Sequence, residues 1–206
     1  MDRIDLSVIV PVYNLERFLP PLLGSLKAQQ LDGYTVEYIF VLDSCEDDSE
    51  AVITNSGIKC TILHCSAQSC GVARNIGFNI SRGDYIWFMD GDDWLTTDTA
   101  IKQALDRVKA EDLDILRIPF ESNLFMYDYF SMVWQYVFRR EYIKEFVFPA
   151  FQPCEDDAYM EMVLAKAGLS RHEHLWLPHL TKPLYHYNYL REGSNMYRVR
   201  VLKEKI

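Results

Sequence analysis

The stretch SRGDYIWFMDGDDWL, Ser81 to Leu95, decides the fold. Tyr85 to Met89 is an unbroken apolar run of strand length, and it leads directly onto Asp90, Asp92 and Asp93. Carboxylates at the C-terminal end of a buried strand stand where open α/β sheets bind ligands, because the crevice beyond the strand ends is lined by loops rather than filled by helices. With only Gly91 between them, Asp90 and Asp92 can both turn toward a hard divalent cation that takes oxygen ligands, Mn²⁺ or Mg²⁺. The competing reading is an acidic turn that caps the helix starting near Thr97, a job that Asp93 or Thr96 would fill. A cap needs one acidic residue, whereas three clustered carboxylates repel one another unless a cation or strong donors are at hand.

Working outward toward the N-terminus, three further strand and helix units precede this one. SVIVPV, Ser7 to Val12, is a β-branched run that delivers the loop of Tyr13 and Asn14, and Phe18, Leu19, Leu22, Leu23 and Leu26 then recur at helical spacing. Val36 to Leu42 ends at Asp43, and its acidic loop opens a short helix at Ala51 to Ile53. Cys60 to Cys65 reads as a third strand and Cys70 to Ile80 as a third helix, which carries Arg74 and Asn75. The connections are too long for hairpins, so the pattern predicts an α/β fold with a mostly parallel sheet and right-handed crossovers.

Beyond Thr97 the pattern changes. A helix over Thr97 to Ala110 and a strand over Ile115 to Phe120 lead into an aromatic segment, in which Phe130, Trp134, Val137 and Phe138 share one helical face. Such spacing is more often core than binding site. Phe125, Tyr127 and Tyr129 lie outside that face; aromatic rings also stack on apolar sugar faces, which makes this segment, Trp134 included, a candidate acceptor-groove lining. PCEDDAYMEMVLAKAG places Glu155, Asp156 and Asp157 in the first turn of a helix that Gly168 ends. The helix dipole there favours the ionised form, so a base at this position is expected to need no raised pKa. Leu184 to Tyr189 reads as a strand holding His186. No repeat or linker interrupts the chain, so one domain is expected over 1–206, with residues 1–95 as a nucleotide-binding half and 96–206 as an acceptor-binding half.

Composition bounds the function. Thirty acidic against 21 basic residues give a net charge of −9, which argues against nucleic acid as a partner. No apolar run approaches the roughly 20 residues that span a bilayer, and the N-terminus lacks a signal pattern, so a cytoplasmic location is expected. Arg191, Arg198, Arg200, Lys203 and Lys205 form a basic tail that reads first as a solvated helix face and alternatively as a peripheral contact with a phosphorylated lipid acceptor or the anionic inner face of a membrane. The five cysteines, Cys45, Cys60, Cys65, Cys70 and Cys154, have no CxxC spacing and are odd in number, as expected for reduced thiols.

Four segments in fixed order, SVIVPVYNLERFL, FVLDSCEDDS, ARNIGFNISRGDYIWFMDGDDWL and CEDDAYMEMVL, together resemble the family 2 glycosyltransferases. That resemblance implies the GT-A fold and an inverting sugar transfer from a nucleotide-sugar, usually a UDP-sugar, to an acceptor hydroxyl on a glycan, polysaccharide or lipid-linked molecule, with Mn²⁺ or Mg²⁺. It further implies that Pro11, Tyr13 and Glu16 form the first nucleotide-binding loop, that Asp43 contacts the uracil, and that Arg74 lies near the phosphates. By the same resemblance Asp90 faces the ribose and Asp92 the metal, Asp156 is the general base, and His186 completes the metal site; adjacent helical residues point about 100° apart, which leaves Glu155 to hold the loop or meet the acceptor. The chain departs from the family in reading Leu42, Asp43 and Ser44 where two aspartates and a glycine are common.

Two alternatives remain open from sequence: a non-catalytic nucleotide-sugar-binding protein of the same fold, and a Mg²⁺-dependent phosphotransferase. The phosphotransferase DxD usually lies on the first strand, with Thr or Val two residues after the second Asp, where this chain has Trp94 on a fourth strand. A dinucleotide oxidoreductase would want GxGxxG after the first strand, and that is absent.

Overall fold

The computed structural model describes residues 3–123, 131–150, 155–170 and 172–188. The elements in order are β1 (Leu6–Val12), α1 (Leu19–Lys27), β2 (Val36–Asp43), α2 (Ser49–Asn55), β3 (Thr61–Cys65), α3 (Cys70–Ile80), β4 (Tyr85–Phe88), β5 (Trp94–Leu95), α4 (Ala100–Ala110), β6 (Ile115–Arg117), β7 (Phe120–Ser122), β8 (Tyr136–Arg139), α5 (Arg140–Ile143), α6 (Glu155–Lys166) and β9 (Tyr185–Tyr187). The main sheet has the order β3-β2-β1-β4-β8-β6, and β5-β9-β7 form a second, smaller sheet.

Strands β1 to β4 are mutually parallel, as their apolar runs and long connections require. Strand β8 runs antiparallel between β4 and β6. The chain steps from β1 to β2 to β3 in one direction and then returns to β4 on the other side of β1. The reversal opens a crevice at the C-terminal ends of β1 and β4, which is where Pro11 to Leu15 and Asp90 to Asp93 emerge.

Strand residues alternate between two apolar layers. Val8, Val10, Phe40, Leu42, Trp87 and Val137 pack with α1 and α4, while Ile9, Ile39, Val41, Ile86, Phe88 and Phe138 pack with α3 and α6. Helix α3 lies close on the sheet because residue 77 is glycine: a Cβ there would fall 2.5 Å from Ile9 Cγ2. Helix α6 closes at Gly168, whose φ of 71° suits the left-handed C-terminal position, and Leu169 N–H returns to the Leu164 carbonyl.

The helical face expected for Trp134, Val137 and Phe138 is not formed. Val133–Gln135 is a single 3₁₀ turn and residues 136–139 are a strand. Val137 enters one apolar layer, Tyr136 and Phe138 the other, so both strand faces are covered and the hydrophobic run lacks the alternation that marks a half-exposed strand. The strand expected over Ile115 to Phe120 is likewise split in two around Ile118 and Pro119. Phe125, Tyr127, Tyr129, Phe130, Cys154 and the basic tail from Arg191 lie outside the described residues. Cys45, Cys60, Cys65 and Cys70 are free thiols. Among the described residues no helix is long and apolar enough to cross a membrane.

Candidate active site

Three loops meet at the crevice. The loop after β1 is zipped to the loop after β2: Glu46 N–H donates to Asn14 Oδ1 at 2.8 Å, Glu16 N–H to Asp47 Oδ2 at 2.9 Å, and Leu15 N–H to Ser49 Oγ at 2.8 Å. The carboxylate of Glu16 accepts from Asp48 N–H at 3.3 Å. Pro11 is buried at the end of β1, and Tyr13 is left 51% exposed over the crevice. Gly91 lets the acidic turn approach this loop, since a Cβ there would sit 2.6 Å from Leu15 Cδ1.

Asp43 is buried, and its carboxylate is taken up by the protein itself. Oδ1 accepts from Ala67 N–H at 2.8 Å, Gln68 N–H at 2.9 Å and the Ser44 hydroxyl at 3.1 Å, and Oδ2 accepts from Ser69 N–H at 2.7 Å. Burial works to raise its pKa, and these donors outweigh it, so the pKa lies below the ordinary carboxylate value. Asp43 thus shapes the 66–69 loop with its own carboxylate, at the end of β2. That loop ends at Ser69, which caps α3 by accepting from Val72 N–H.

One turn into α3, Arg74 is buried. Its Nη1 donates to Glu155 Oε1 and its Nη2 to Asp90 Oδ1, both at 2.9 Å, and its guanidinium carbon lies 5.4 Å from the centre of the Phe148 ring. Burial disfavours the charge, but the carboxylates of Asp90, Glu155 and Asp156, with Cys70, more than offset it, so the pKa of Arg74 is raised. Gly71 makes room for this bridge: a Cβ there would fall 2.5 Å from the Pro149 carbonyl oxygen and 3.1 Å from Glu155 Cγ. Arg74 is thus committed to two carboxylates, one of them on the acidic turn.

Glu155, expected to hold the loop or meet the acceptor, is buried against Arg74 and unites α3 with α6. Asp156 follows at the first turn of α6. Burial raises its pKa to about 6, against the lowering influence of Arg74 and with the help of Glu155, Asp90 and Asp157. The dipole-only expectation of an unraised pKa is corrected by that burial, which sequence does not show.

Asp93 does not cap α4. Its carboxylate is fully buried and accepts from the Tyr185 hydroxyl at 2.7 Å and Asn188 N–H at 2.8 Å. Thr96 donates instead to the Pro183 carbonyl, and the N-cap position of α4 is Thr99. Burial, then the charges of Asp92 and Asp90, push the Asp93 pKa well above the ordinary value.

The structure corrects the acceptor role expected of Trp134 and places His186 in a stack beside the acidic turn. Trp134 is 2% exposed, stacked on Tyr185 and Tyr187 at 4.8 Å each with Phe120 edge-on at 4.9 Å, so it is core and presents no face to an acceptor. His186 stacks on Trp94 at 3.9 Å, and its Nδ1 lies 3.2 Å from Glu121 Oε1. The structure does not gather it with Asp90 and Asp92: among the described residues no three His, Cys, Asp or Glu side chains form a group suited to a metal. Asp90 and Asp92 alone supply hard oxygen donors on either side of Gly91. Such a pair would suit a hard divalent cation that takes its remaining oxygen ligands from outside the protein.

The model of the family described as "Glycosyl transferase family 2" matches residues 7–151. EpsH of Bacillus subtilis is 33% identical over 101 residues, which cover 48% of this chain and 29% of that protein. The poly(ribitol-phosphate) β-N-acetylglucosaminyltransferase TarS of Staphylococcus aureus is 30% identical over 117 residues, covering 54% of this chain and 20% of its own. The crystal structure of TarS 1–349 in complex with UDP-GlcNAc has a TM-score of 0.80 at 21% identity, over 94% of this chain and 61% of that one. The mannosyltransferase PcManGT of Pyrobaculum calidifontis, solved with GDP-Man and Mn²⁺, has a TM-score of 0.73 at 13% identity over 98% of this chain and 61% of its own. The GT-A expectation is met by these likenesses. The chain spans less than two thirds of the length of each of these relatives.

Proposed function

The chain belongs to glycosyltransferase family 2, and from that premise we propose that it transfers a sugar from a UDP-sugar to an acceptor hydroxyl with inversion at the anomeric carbon. The observation that carries this reading is the buried bridge Glu155–Arg74–Asp90, which fastens the helix bearing Asp156 to the acidic turn at the sheet's switch point. The bridge holds the acidic turn that would carry the donor's cation on one side of a fixed arginine and, on the other, the helix turn whose Asp156 would deprotonate a hydroxyl.

The nucleotide occupies the ends of β1 and β2, with Tyr13 as the exposed ring against the base and the zipped loops holding its edge. Asp90 and Asp92 would hold Mn²⁺ or Mg²⁺, whose charge stabilises the diphosphate as it departs. Arg74 fixes the position of Asp90 and offsets part of the negative charge that Asp90 and Glu155 bring to the region. Asp156 takes the proton from the acceptor hydroxyl as that oxygen bonds to the anomeric carbon. The bond from that carbon to the phosphate oxygen breaks with its electrons going to UDP, and a single displacement inverts the centre. A base with a pKa of about 6 is largely ionised at neutral pH and still basic enough to help, which is the range general-base catalysis favours. The acceptor hydroxyl belongs to a glycan, polysaccharide or lipid-linked molecule and is received by the 96–206 half. The solved complexes of TarS with UDP and UDP-GlcNAc support the choice of donor class.

A screen of UDP-, GDP- and dTDP-sugars for nucleotide release with Mn²⁺ tests the proposal. Release from at least one UDP-sugar, lost on Asp92→Asn, is the expected result. Release from none, or release that ignores both metal and Asp92, would contradict it.

A further inference from the structure

We propose that Tyr185 is a positioning residue for the acidic turn, holding Asp90 to Asp93 in shape through its hydroxyl; this rests on reading that turn as the donor site. The hydroxyl sits between the two ends of the turn. It accepts from Asp90 N–H at 3.1 Å and donates its single proton to Asp93 Oδ2 at 2.7 Å, while Asp93 N–H closes the turn onto the Asp90 carbonyl at 3.2 Å.

The position of the hydroxyl is overdetermined. Asp90 lies beyond the residues of β4 that pair with β1, which end at Phe88, and with β8, which end at Trp87, so its N–H has no sheet partner. A buried amide left unpaired would be costly, and Tyr185 supplies the acceptor from a strand more than ninety residues away. The Tyr185 ring is locked by a near-parallel stack on Trp134, 4.8 Å away at 9°, and by Trp87 at 6.3 Å. Its backbone pairs with Leu95, just past the turn. The other Asp93 oxygen accepts from Asn188 N–H, the residue just after β9, so this strand end holds the Asp93 end of the turn twice. A tyrosine kept only for packing would not need a buried hydroxyl used twice. Phenylalanine would fill the same space and leave Asp90 N–H and the Asp93 carboxylate each short of a partner.

Tyr185→Phe separates this role from packing, with Tyr38→Phe as its control, because Tyr38 is a buried tyrosine whose hydroxyl donates only to the Leu26 carbonyl, at 3.4 Å. Three readouts are taken on each variant: thermal unfolding, amide exchange over residues 90–93, and UDP titration with Mn²⁺. For Tyr185→Phe the expected results are an intact unfolding transition, exchange at the turn faster by on the order of tenfold, and UDP affinity lower by a similar factor. Tyr38→Phe should leave exchange at the turn and UDP affinity at the wild-type level. Wild-type exchange over 90–93 in Tyr185→Phe, or faster exchange with unchanged UDP affinity, overturns the proposal. Wild-type protein that binds no UDP with Mn²⁺ counts against the donor reading instead, and exchange at the turn then decides the brace by itself.

Discussion

Arg74 and Glu155 form a buried ion pair at 2.9 Å that joins the third helix of the sheet to the first turn of α6, across 81 residues of chain. Because the same guanidinium also holds Asp90 at 2.9 Å, the spacing between the acidic turn and the base-bearing helix depends on one side chain.

Removing that side chain is expected to be severe. Arg74→Gln leaves Glu155 buried and unpaired, and breaking a buried pair from one side costs about 3–5 kcal/mol. Arg74→Lys keeps the charge but lacks the two-pronged reach, so it should recover part of the stability and little of the activity. Urea denaturation of both variants checks the order; a loss under about 1 kcal/mol for Arg74→Gln would show the bridge to be dispensable.

Gly71 and Gly91 are expected to differ in their tolerance of alanine. At Gly71 the new methyl meets a backbone carbonyl at 2.5 Å, and at Gly91 it meets the tip of the Leu15 side chain at 2.6 Å. Alanine in a helix gains about 1 kcal/mol over glycine, whereas overpacking typically costs about 1–3 kcal/mol. Gly71→Ala should therefore be net destabilising despite its helical site, with the milder effect at Gly91, where a side chain can turn aside. Equal melting temperatures for the two variants would contradict the packing described.

Asp156 gives a pH dependence of determined sign. Its carboxyl has a pKa of about 6 in the folded protein against an ordinary 3.8, so the fold favours the protonated form. Its ionisation therefore removes stability as pH rises from about 4 to about 6. Activity moves the opposite way, since the base is lost as pH falls through the same value. The expected kcat/KM profile is flat at neutral pH and drops by about tenfold per pH unit below the limb near 6. A limb near 4 would mean that the carboxyl is solvated during turnover.

Trp134→Ala is expected to act on stability rather than on acceptor use. Truncating a buried aromatic of this size costs about 3–5 kcal/mol. Tyr185 would also lose the ring it stacks on. An unchanged unfolding midpoint with a raised KM for acceptor alone would restore Trp134 to the acceptor groove.

Strands β1 to β4, helices α1 and α3, and the acidic first turn of α6 were legible in sequence because each couples a clear apolar period to a turn or cap signal. Residues 133–139 were not, because a strand covered on both faces carries apolar residues at every position and imitates a helical face over a short window. The site was legible in its parts and not in its connections. Arg74, Asp90, Glu155 and Asp156 were each marked by motif, but nothing local shows that Arg74 spends its guanidinium on two carboxylates, or that Asp43 spends its own carboxylate on three amides. The raised pKa of Asp156 follows from burial by residues distant in sequence, whereas only the helix dipole is visible locally. Tyr185 was hidden for the same reason: its alternation with Tyr187 signals a strand, and its hydroxyl finds Asp93 only after the chain has folded back.

The most direct test is Asp156→Asn, measured for UDP affinity with Mn²⁺ and for sugar transfer on one preparation. The side chain keeps its size and stands apart from the nucleotide loops, so UDP affinity should stay within a fewfold of wild type while transfer falls by roughly 10²- to 10⁴-fold. Transfer near the wild-type rate in Asp156→Asn, with Asp157→Asn inactive, would contradict the assignment of the base and with it the mechanism.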